Sequence, residues 1–195
     1  MSQALSAVIG LGNPGERYDQ TRHNAGFWFV DRLVAEYGGS FKPERKLHGE
    51  VADVRVGGER LRLLKPDTYV NESGRAAQAL LAYYRFDPAN CLVVYDELDL
   101  PPGVARFKQD GGHGGHNGMR DLLRHLGTRE FPRLRIGIGH PGSRNAVTGY
   151  VLSRPGREDR SQIDAAIDDA LTVFPQFAAG ERDRATAALH TSKEP

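Results

Sequence analysis

The fold is set first by residues 7–15, AVIGLGNPG, where a short apolar strand runs directly into a turn-rich loop. Further along, apolar residues at helical spacing predict a helix over residues 27–37 that ends at Gly38-Gly39. Period-two alternation over residues 51–64, interrupted at Gly57-Gly58, predicts a β-hairpin. A strand, a helix and a hairpin in this order favour a fold that mixes both kinds of element.

The later elements alternate in the same way. Asn71 or Ser73 is expected to cap one helix and Asn117 another, which Gly127 ends. The remaining predicted elements are strands over residues 91–95, 104–108 and 134–138 and helices over residues 75–84, 118–126 and 161–174. Because strands and helices interleave without a linker or a repeat, we expect an α/β fold: a single domain over residues 1–195 with a mixed, twisted β-sheet flanked by helices.

Composition excludes several classes of protein. Hydrophobic residues make up 39% and charged residues 26% of the chain, which is unlike a disordered protein. No apolar run approaches the roughly 18 residues needed to span a bilayer. The N-terminal stretch lacks the basic residues of a secretory signal, and the single cysteine, Cys91, excludes an internal disulfide. We therefore expect a cytoplasmic protein.

The positive charge is concentrated in one part of the chain. The net charge is only +1, but residues 101–150 contain eight arginine or lysine residues and three acidic residues, a net charge of +5. Arginine supplies most of the 26 basic residues, and its planar guanidinium suits bidentate contacts with phosphate. A solvated charged surface would give the same pattern, so charge alone leaves phosphate binding open.

Gly10, Gly12 and Gly15 match the G-x-G-x-x-G pattern of dinucleotide-binding loops. However, residues 18–24 are too polar and irregular for a helix to begin at Gly15, and no acidic residue ends a second strand where the ribose contact belongs. We favour a tight loop that presents Asn13 at the carboxyl end of a strand, where open α/β sheets bind ligands. A nicotinamide-dependent oxidoreductase is the alternative, which titration with the dinucleotide would test.

His23 lies in a polar stretch directly before the first predicted helix. An unperturbed imidazole, with a pKa of about 6.5, can accept a proton from water at neutral pH. Asp96 follows a buried apolar strand, where a carboxylate is costly to bury without a partner. A His–Asp pair would hold the imidazole tautomer and stabilise the imidazolium. We therefore select both as candidate catalytic residues, with a structural histidine and a turn-capping aspartate as the alternatives.

A metal site is a second kind of chemistry to consider. The carboxylates and imidazoles that could act as ligands are Asp96, Glu97, Asp99, His113 and His116. Their spacing suits a metal poorly, because both histidines lie on a glycine-rich stretch and no His-Glu-x-x-His pattern supports them. Covalent catalysis is also disfavoured, since there is no Gly-x-Ser-x-Gly elbow and a cysteine that opens a buried strand is expected to be inert. We expect neither a metal nor a cofactor.

Three asparagines follow predicted strands or stand at predicted helix starts: Asn13, Asn71 and Asn117. Capping alone would explain Asn71 and Asn117. A carboxamide can also hold a substrate amide, or donate to a developing oxyanion, without adding a net charge. The three asparagines are therefore candidate substrate-binding residues.

Taken together, these segments closely resemble the bacterial, metal-independent peptidyl-tRNA hydrolases. Five motifs in the family's order carry the resemblance along the whole chain: GLGNPG at residues 10–15, TRHNAG at 21–26, YDELDLPPG at 95–103, GGHGGHNG at 111–118 and RIGIGHP at 135–141. The resemblance implies a monomeric α/β enzyme that hydrolyses the ester between a peptide and the 3′ ribose of tRNA. A non-catalytic RNA-binding module with the same fold is the alternative, and ester cleavage distinguishes the two.

The resemblance also implies roles for individual residues. His23 would be the base that activates water, and Asp96 its orienting partner. The residues expected to bind the peptide, the 3′ CCA end or the acceptor stem are Asn13, Tyr18, Tyr69, Asn71, Arg106, Lys108, His116, Asn117, Arg135 and Arg144. The four basic ones fall where the family has basic residues that hold phosphate. One departure is Val70, where the family usually has Met, and the shorter side chain should narrow the apolar contact with substrate.

Overall fold

The computed structural model describes residues 2–191, so Met1 and residues 192–195 at the ends of the predicted domain lie outside the described residues. The strands are β1 (Ala7–Gly10), β2 (Lys42–Glu44), β3 (Gly49–Val56), β4 (Glu59–Pro66), β5 (Cys91–Glu97), β6 (Ala105–Lys108) and β7 (Arg133–Gly137). The helices are α1 (Ala25–Tyr37), α2 (Gly74–Tyr84), α3 (Asn117–Leu126), α4 (Val147–Val151), α5 (Arg157–Ala178) and α6 (Arg182–Thr191).

The strands form one mixed sheet in the order β2-β3-β4-β1-β5-β7-β6. β1 pairs in parallel with β4 and β5, and β5 pairs in parallel with β7, whereas the outer pairs are antiparallel. The predicted α/β class with a mixed sheet is confirmed. Since the four central strands run the same way, the segments that follow β1, β4, β5 and β7 meet at one edge of the sheet.

Apolar cores lie on both faces of the sheet. On one face α1, α5 and α6 bury residues such as Phe29, Ile167 and Ala185. On the other face α2 and α3 bury residues such as Leu80 and Met119. Within residues 2–191, no helix is both long and apolar enough to cross a membrane.

Backbone contacts join α1 to the centre of the sheet. A Cβ atom on Gly26 would overlap the Val94 and Leu11 backbone, and one on Gly10 would lie 2.6 Å from the Gly26 carbonyl oxygen. Any larger side chain would force α1 away from β1 and β5. This contact brings the 3₁₀ turn Arg22–Asn24, which precedes α1, against the ends of these strands.

The predicted helix ends at Gly38 and Gly127 are confirmed, as both glycines take the left-handed conformation. Ser73, one of the two caps predicted for α2, is its N-cap residue, but its hydroxyl donates to the Val70 carbonyl at 2.6 Å and makes no capping hydrogen bond. The Gly74 N–H, at the start of α2, donates to the Asp121 carboxylate of α3 at 2.8 Å. The cap predicted for α3 was wrong, because Asn117 is the first residue of that helix and its cap is His116.

Several elements were not predicted from the sequence. β2, α4 and α6 are short or weakly patterned; in α6, for example, only Arg182, Ala185 and Leu189 are buried. The helix predicted over residues 161–174 extends over Arg157–Ala178. At its C-terminal end, Pro175 falls in the last turns and does not end the helix.

Candidate active site

A cleft of about 300 Å³ lies at the edge where the central strands end. Eight residues singled out from the sequence line it: Asn13, Tyr18, His23, Tyr69, Asn71, Asp96, His116 and Asn117. The other four, which are Arg106, Lys108, Arg135 and Arg144, lie outside its lining.

His23 and Asp96 meet directly in this cleft. His23 lies in the 3₁₀ turn before α1, and Asp96 is the penultimate residue of β5 and 3% exposed. The His23 Nδ1 lies 2.8 Å from the Asp96 Oδ2, which accepts its proton in a hydrogen bond. The His23 Nε2 has no hydrogen-bond partner within residues 2–191, so its lone pair is free on the cleft side.

His116 holds the second carboxylate oxygen. The Met119 backbone N–H donates to the His116 Nδ1 at 3.2 Å, which makes that nitrogen an acceptor. The proton of the neutral ring therefore sits on Nε2, which donates to the Asp96 Oδ1 at 2.8 Å. The helix cap of α3 thus fixes the tautomer of His116, and two imidazole rings hold both oxygens of one buried carboxylate.

The charges of this cluster shift its acid–base properties. Burial would raise the pKa of Asp96, but the two histidines outweigh it and hold that pKa well below its usual value of 3.8. Burial lowers the pKa of His23, and the charge and hydrogen bond of Asp96 outweigh it, so the net pKa lies above 6.5. Asp96 is therefore ionised at neutral pH, and His23 is a stronger base than a free imidazole.

The same three residues are a potential metal-binding group, since one atom from each of His23, Asp96 and His116 lies within 4.8 Å of the others. A metal would need a lone pair on the His116 Nε2, but the Met119 N–H requires that nitrogen to carry the proton. Glu97 and His113, also considered as ligands, contact Arg135 and the Gly115 N–H instead. The hydrogen bonds therefore suit a proton-transfer site better than a metal site.

Asn13 is held by a residue that was not singled out from the sequence. Asn24 is 1% exposed, and its side chain accepts from the Asn13 N–H at 2.8 Å and donates to the Asn13 carbonyl at 2.9 Å. The Asn13 Oδ1 accepts from the Val70 N–H at 2.7 Å. Since its oxygen is occupied, Asn13 offers its Nδ2 amide group as the donor. The polar character of Asn24 was visible in the sequence, but its inward direction was not.

The rest of the cleft combines amide and apolar surface. Asn71 and Asn117 are exposed and make no side-chain hydrogen bond within residues 2–191, so both carboxamides are available to a ligand. The apolar lining consists of Val70, Leu98, Val147, Val151 and Leu152. Tyr18 and Tyr69 meet edge to face, with ring centroids 6.2 Å apart, and Tyr69 is 58% exposed.

The four basic residues predicted to bind phosphate lie outside the cleft lining. Arg106 and Lys108 lie exposed on the edge strand β6, and Arg106 stands opposite Arg135 in the ladder. The Arg135 Nη1 lies 3.5 Å from the carboxylate of Glu97, a residue that also lines the cleft. Arg144 is exposed in a 3₁₀ turn before α4.

Not every basic residue of the positive segment is exposed. Arg133 is fully buried and donates to the carbonyls of Gly111 and Gly112 at 2.6 and 2.7 Å. It therefore orders the glycine-rich loop before His116 and is not available to a phosphate.

Two other motifs have structural explanations. The helix that follows β1 begins at Ala25, not at Gly15, and a Cβ on Gly12 would lie 2.8 Å from the Phe27 ring. Close packing thus accounts for glycine in the loop. Burial, with the charge of Asp87, raises the pKa of the Cys91 thiol to about 12, which disfavours a nucleophilic thiolate.

The sequence of the chain matches that of a known protein family. The sequence model of peptidyl-tRNA hydrolase matches residues 7–195. The chain is 53% identical to a peptidyl-tRNA hydrolase of Nitrosospira multiformis over 97% of its own length and 100% of the relative's. It is 51% identical to one of Neisseria meningitidis, with coverages of 98% and 100%.

Solved structures agree with the sequence comparison. The crystal structure of peptidyl-tRNA hydrolase from Acinetobacter baumannii superimposes with a TM-score of 0.94 at 44% identity. The match covers 97% of this chain and 96% of that one. The fold, the order of motifs and the identity extend over nearly the whole length, and the chain therefore belongs to the peptidyl-tRNA hydrolase family of hydrolases.

Proposed function

We propose that the protein cleaves the ester between a peptide, or an N-blocked amino acid, and the 3′ ribose of tRNA, with His23 as the base that activates water. The observation that carries the proposal is the free His23 Nε2 in the cleft, on a ring whose Nδ1 is held by an ionised carboxylate. This arrangement favours the tautomer that can accept a proton from water.

In the proposed reaction, water attacks the ester carbonyl carbon while the His23 Nε2 takes its proton. Asp96 stabilises the imidazolium, and His116 keeps Asp96 in place. An amide group such as the Asn13 Nδ2 donates to the negative oxygen of the tetrahedral intermediate. The bond to the ribose oxygen then breaks, and the imidazolium returns the proton to it, which releases tRNA and the peptide acid. No cofactor is needed.

The remaining predicted residues are proposed to bind the substrate. Asn71 and Asn117 suit contacts with the peptide and the 3′ end, because their carboxamides are unoccupied. The exposed Tyr69 and its neighbour Tyr18 offer ring faces to a base at the mouth of the cleft. The phosphates of the acceptor stem are assigned to Arg106, Lys108, Arg135 and Arg144.

The exposed basic residues Arg106, Lys108 and Arg144 predict salt-sensitive binding. Each neutralised phosphate contributes about −0.7 to −0.9 to the slope of log K against log salt. Arg106→Ala and Arg144→Ala should each flatten this slope for tRNA, while hydrolysis of a minimal ester stays nearly unchanged. Arg55→Ala, in the hairpin on the far side of the sheet, is the matched control. If neither substitution changes the slope, Arg106 and Arg144 do not bind phosphate.

The direct test measures release of free tRNA from an N-blocked aminoacyl-tRNA, with and without a chelator. We expect cleavage at the same rate in both conditions, because the hydrogen bonds of His116 leave no lone pair for a metal. Loss of cleavage with chelator would favour a metal at His23, Asp96 and His116. Tight RNA binding without any cleavage would favour a non-catalytic RNA-binding module.

We also propose that the protein acts as a monomer in the cytoplasm, where translation supplies the substrate. Within residues 2–191 the exposed large hydrophobic residues are Tyr69, Tyr83 and Leu152, and two of them line the cleft. Isolated exposed residues of this kind do not form the apolar patch that a stable dimer buries. Sedimentation at working concentration tests this point.

A further inference from the structure

One apolar wall of the cleft is formed by α4 and the residue that follows it. Val147, Val151 and Leu152 line the cleft, and Leu152 is 40% exposed. α4 has five residues, of which Val151 alone is buried. Because a helix this short is not stable by itself, contacts from other parts of the chain must hold the wall in place.

Arg22 makes several of these contacts. Its backbone N–H donates to the Ser153 carbonyl at 3.1 Å, and its Nη1 donates to the Ser153 hydroxyl at 2.6 Å. The same nitrogen lies 3.3 Å from the Tyr150 carbonyl and 3.4 Å from the Arg154 carbonyl. The guanidinium therefore covers the carbonyl end of α4, which a helix cannot satisfy internally.

Tyr150 extends the same junction to the sheet. The Arg22 guanidinium lies over the Tyr150 ring, with 3.9 Å from Cζ to the ring centroid. The Tyr150 hydroxyl donates to the Ile138 carbonyl at 2.6 Å, just after β7. α4 is thus fixed between the end of β7 and the turn that carries His23. Because Arg22 and His23 are consecutive, a shift of the wall relative to the base would break the Arg22 contacts.

We infer that Arg22 is a positioning residue that sets the distance between the α4 wall and His23, and that this wall binds an apolar side chain on the amino acid esterified to tRNA. The inference rests on the proposed function. That side chain branches from the carbon next to the attacked carbonyl, so it must lie close to the His23 Nε2. Leucine there would cover Val147 and Leu152, whereas glycine would leave both exposed.

The first experiment compares one tRNA body carrying either N-acetyl-leucine or N-acetyl-glycine. For the unmodified protein we expect a KM about tenfold lower for the leucyl ester, because burial of part of a leucine side chain strengthens binding by about this factor. Equal KM values for the two esters would overturn the inference. No cleavage of either ester would instead contradict the proposed function, so the two failures are distinguishable.

The second experiment repeats the comparison in variants. Arg22→Met keeps the length of the side chain but removes its donors, and it should erase the preference for leucine while leaving the pH midpoint of kcat unchanged. Arg22→Lys, which can still contact the carbonyls, should keep part of the preference. Arg160→Met is the matched control, because Arg160 also lies over an aromatic ring, Trp28, but away from the cleft.

Leu152→Ala tests the wall without disturbing Arg22, and it should also remove the preference for leucine. A preference retained in both Arg22→Met and Leu152→Ala would overturn the inference. An equal loss of kcat for both esters in Arg22→Met, together with a shifted pH midpoint, would also overturn the inference. Arg22 would then act through His23 and not through the wall.

Discussion

Replacing His23 with alanine is expected to lower the rate of tRNA release by at least about 10³-fold while tRNA binding persists. Within residues 2–191, the His23 Nε2 is the only imidazole nitrogen that lines the cleft with a free lone pair, and the variant loses it. General base catalysis contributes about 10²–10⁴-fold, and loss of the charge pair with Asp96 adds to the effect. Single-turnover release from N-acetyl-aminoacyl-tRNA measures the chemical step, and a binding titration on the same preparation measures affinity.

His140→Ala is the matched control for this substitution. His140 is exposed, its Nδ1 accepts from the Gly142 N–H, and it lies outside the cleft lining, so the control should release tRNA normally. Full activity in a clean His23→Ala preparation would disprove the assignment of the base. Loss of binding together with loss of turnover would show that His23 acts mainly on affinity.

Asp96→Asn should also lower the rate of tRNA release, by about 10³–10⁴-fold. This is the order seen when the orienting aspartate of a serine-protease triad is replaced. An asparagine amide can donate to the His23 Nδ1, which would move the ring proton to Nε2 and remove the base. The substitution also removes the charge that raises the His23 pKa, so burial alone would act and the pKa would fall.

The dependence of the rate on pH separates the change in the His23 tautomer from the change in the His23 pKa. In the unmodified protein His23 must be neutral to act, so the rate should rise with pH through a midpoint above 6.5. In Asp96→Asn the residual activity should rise at a lower pH, because the histidine pKa is lower. Asp99→Asn, an exposed neighbour, should keep both rate and midpoint. An unchanged midpoint in Asp96→Asn would show that Asp96 does not set the His23 pKa.

Much of the fold could be predicted from the sequence, because many of its elements are specified by patterns among neighbouring residues. The β1 loop, the hairpin and the helix ends at Gly38 and Gly127 depend on neighbouring residues, and the structure confirms them. The pairing of His23 with Asp96 was a hypothesis from chemistry and family resemblance. It required the parallel arrangement of β1 and β5, which local patterns do not specify.

Other features depend on contacts between distant segments. His116 caps α3 and holds Asp96, a contact between residues 20 apart that no spacing rule marks. Arg133 shares a sheet face with Arg135, two residues further on, but the glycine-rich loop covers it and its guanidinium donates to the Gly111 and Gly112 carbonyls. α4 has only five residues, too short a pattern to predict a helix, and Arg22 stabilises it from outside through the Ser153 hydroxyl and the Tyr150 ring. Each case was decided by packing and not by propensity.

The contact of Gly26 with Gly10, Leu11 and Val94 has a consequence for how this protein can change over time. The junction that brings His23 to Asp96 is formed mainly by main-chain atoms, whose dimensions are the same whatever side chains surround them. Substitutions in either apolar core can alter stability, and neighbouring helices can be repacked, without altering this spacing. Evolution and protein engineering are therefore free to vary both cores widely, provided that glycine is kept at positions 10 and 26.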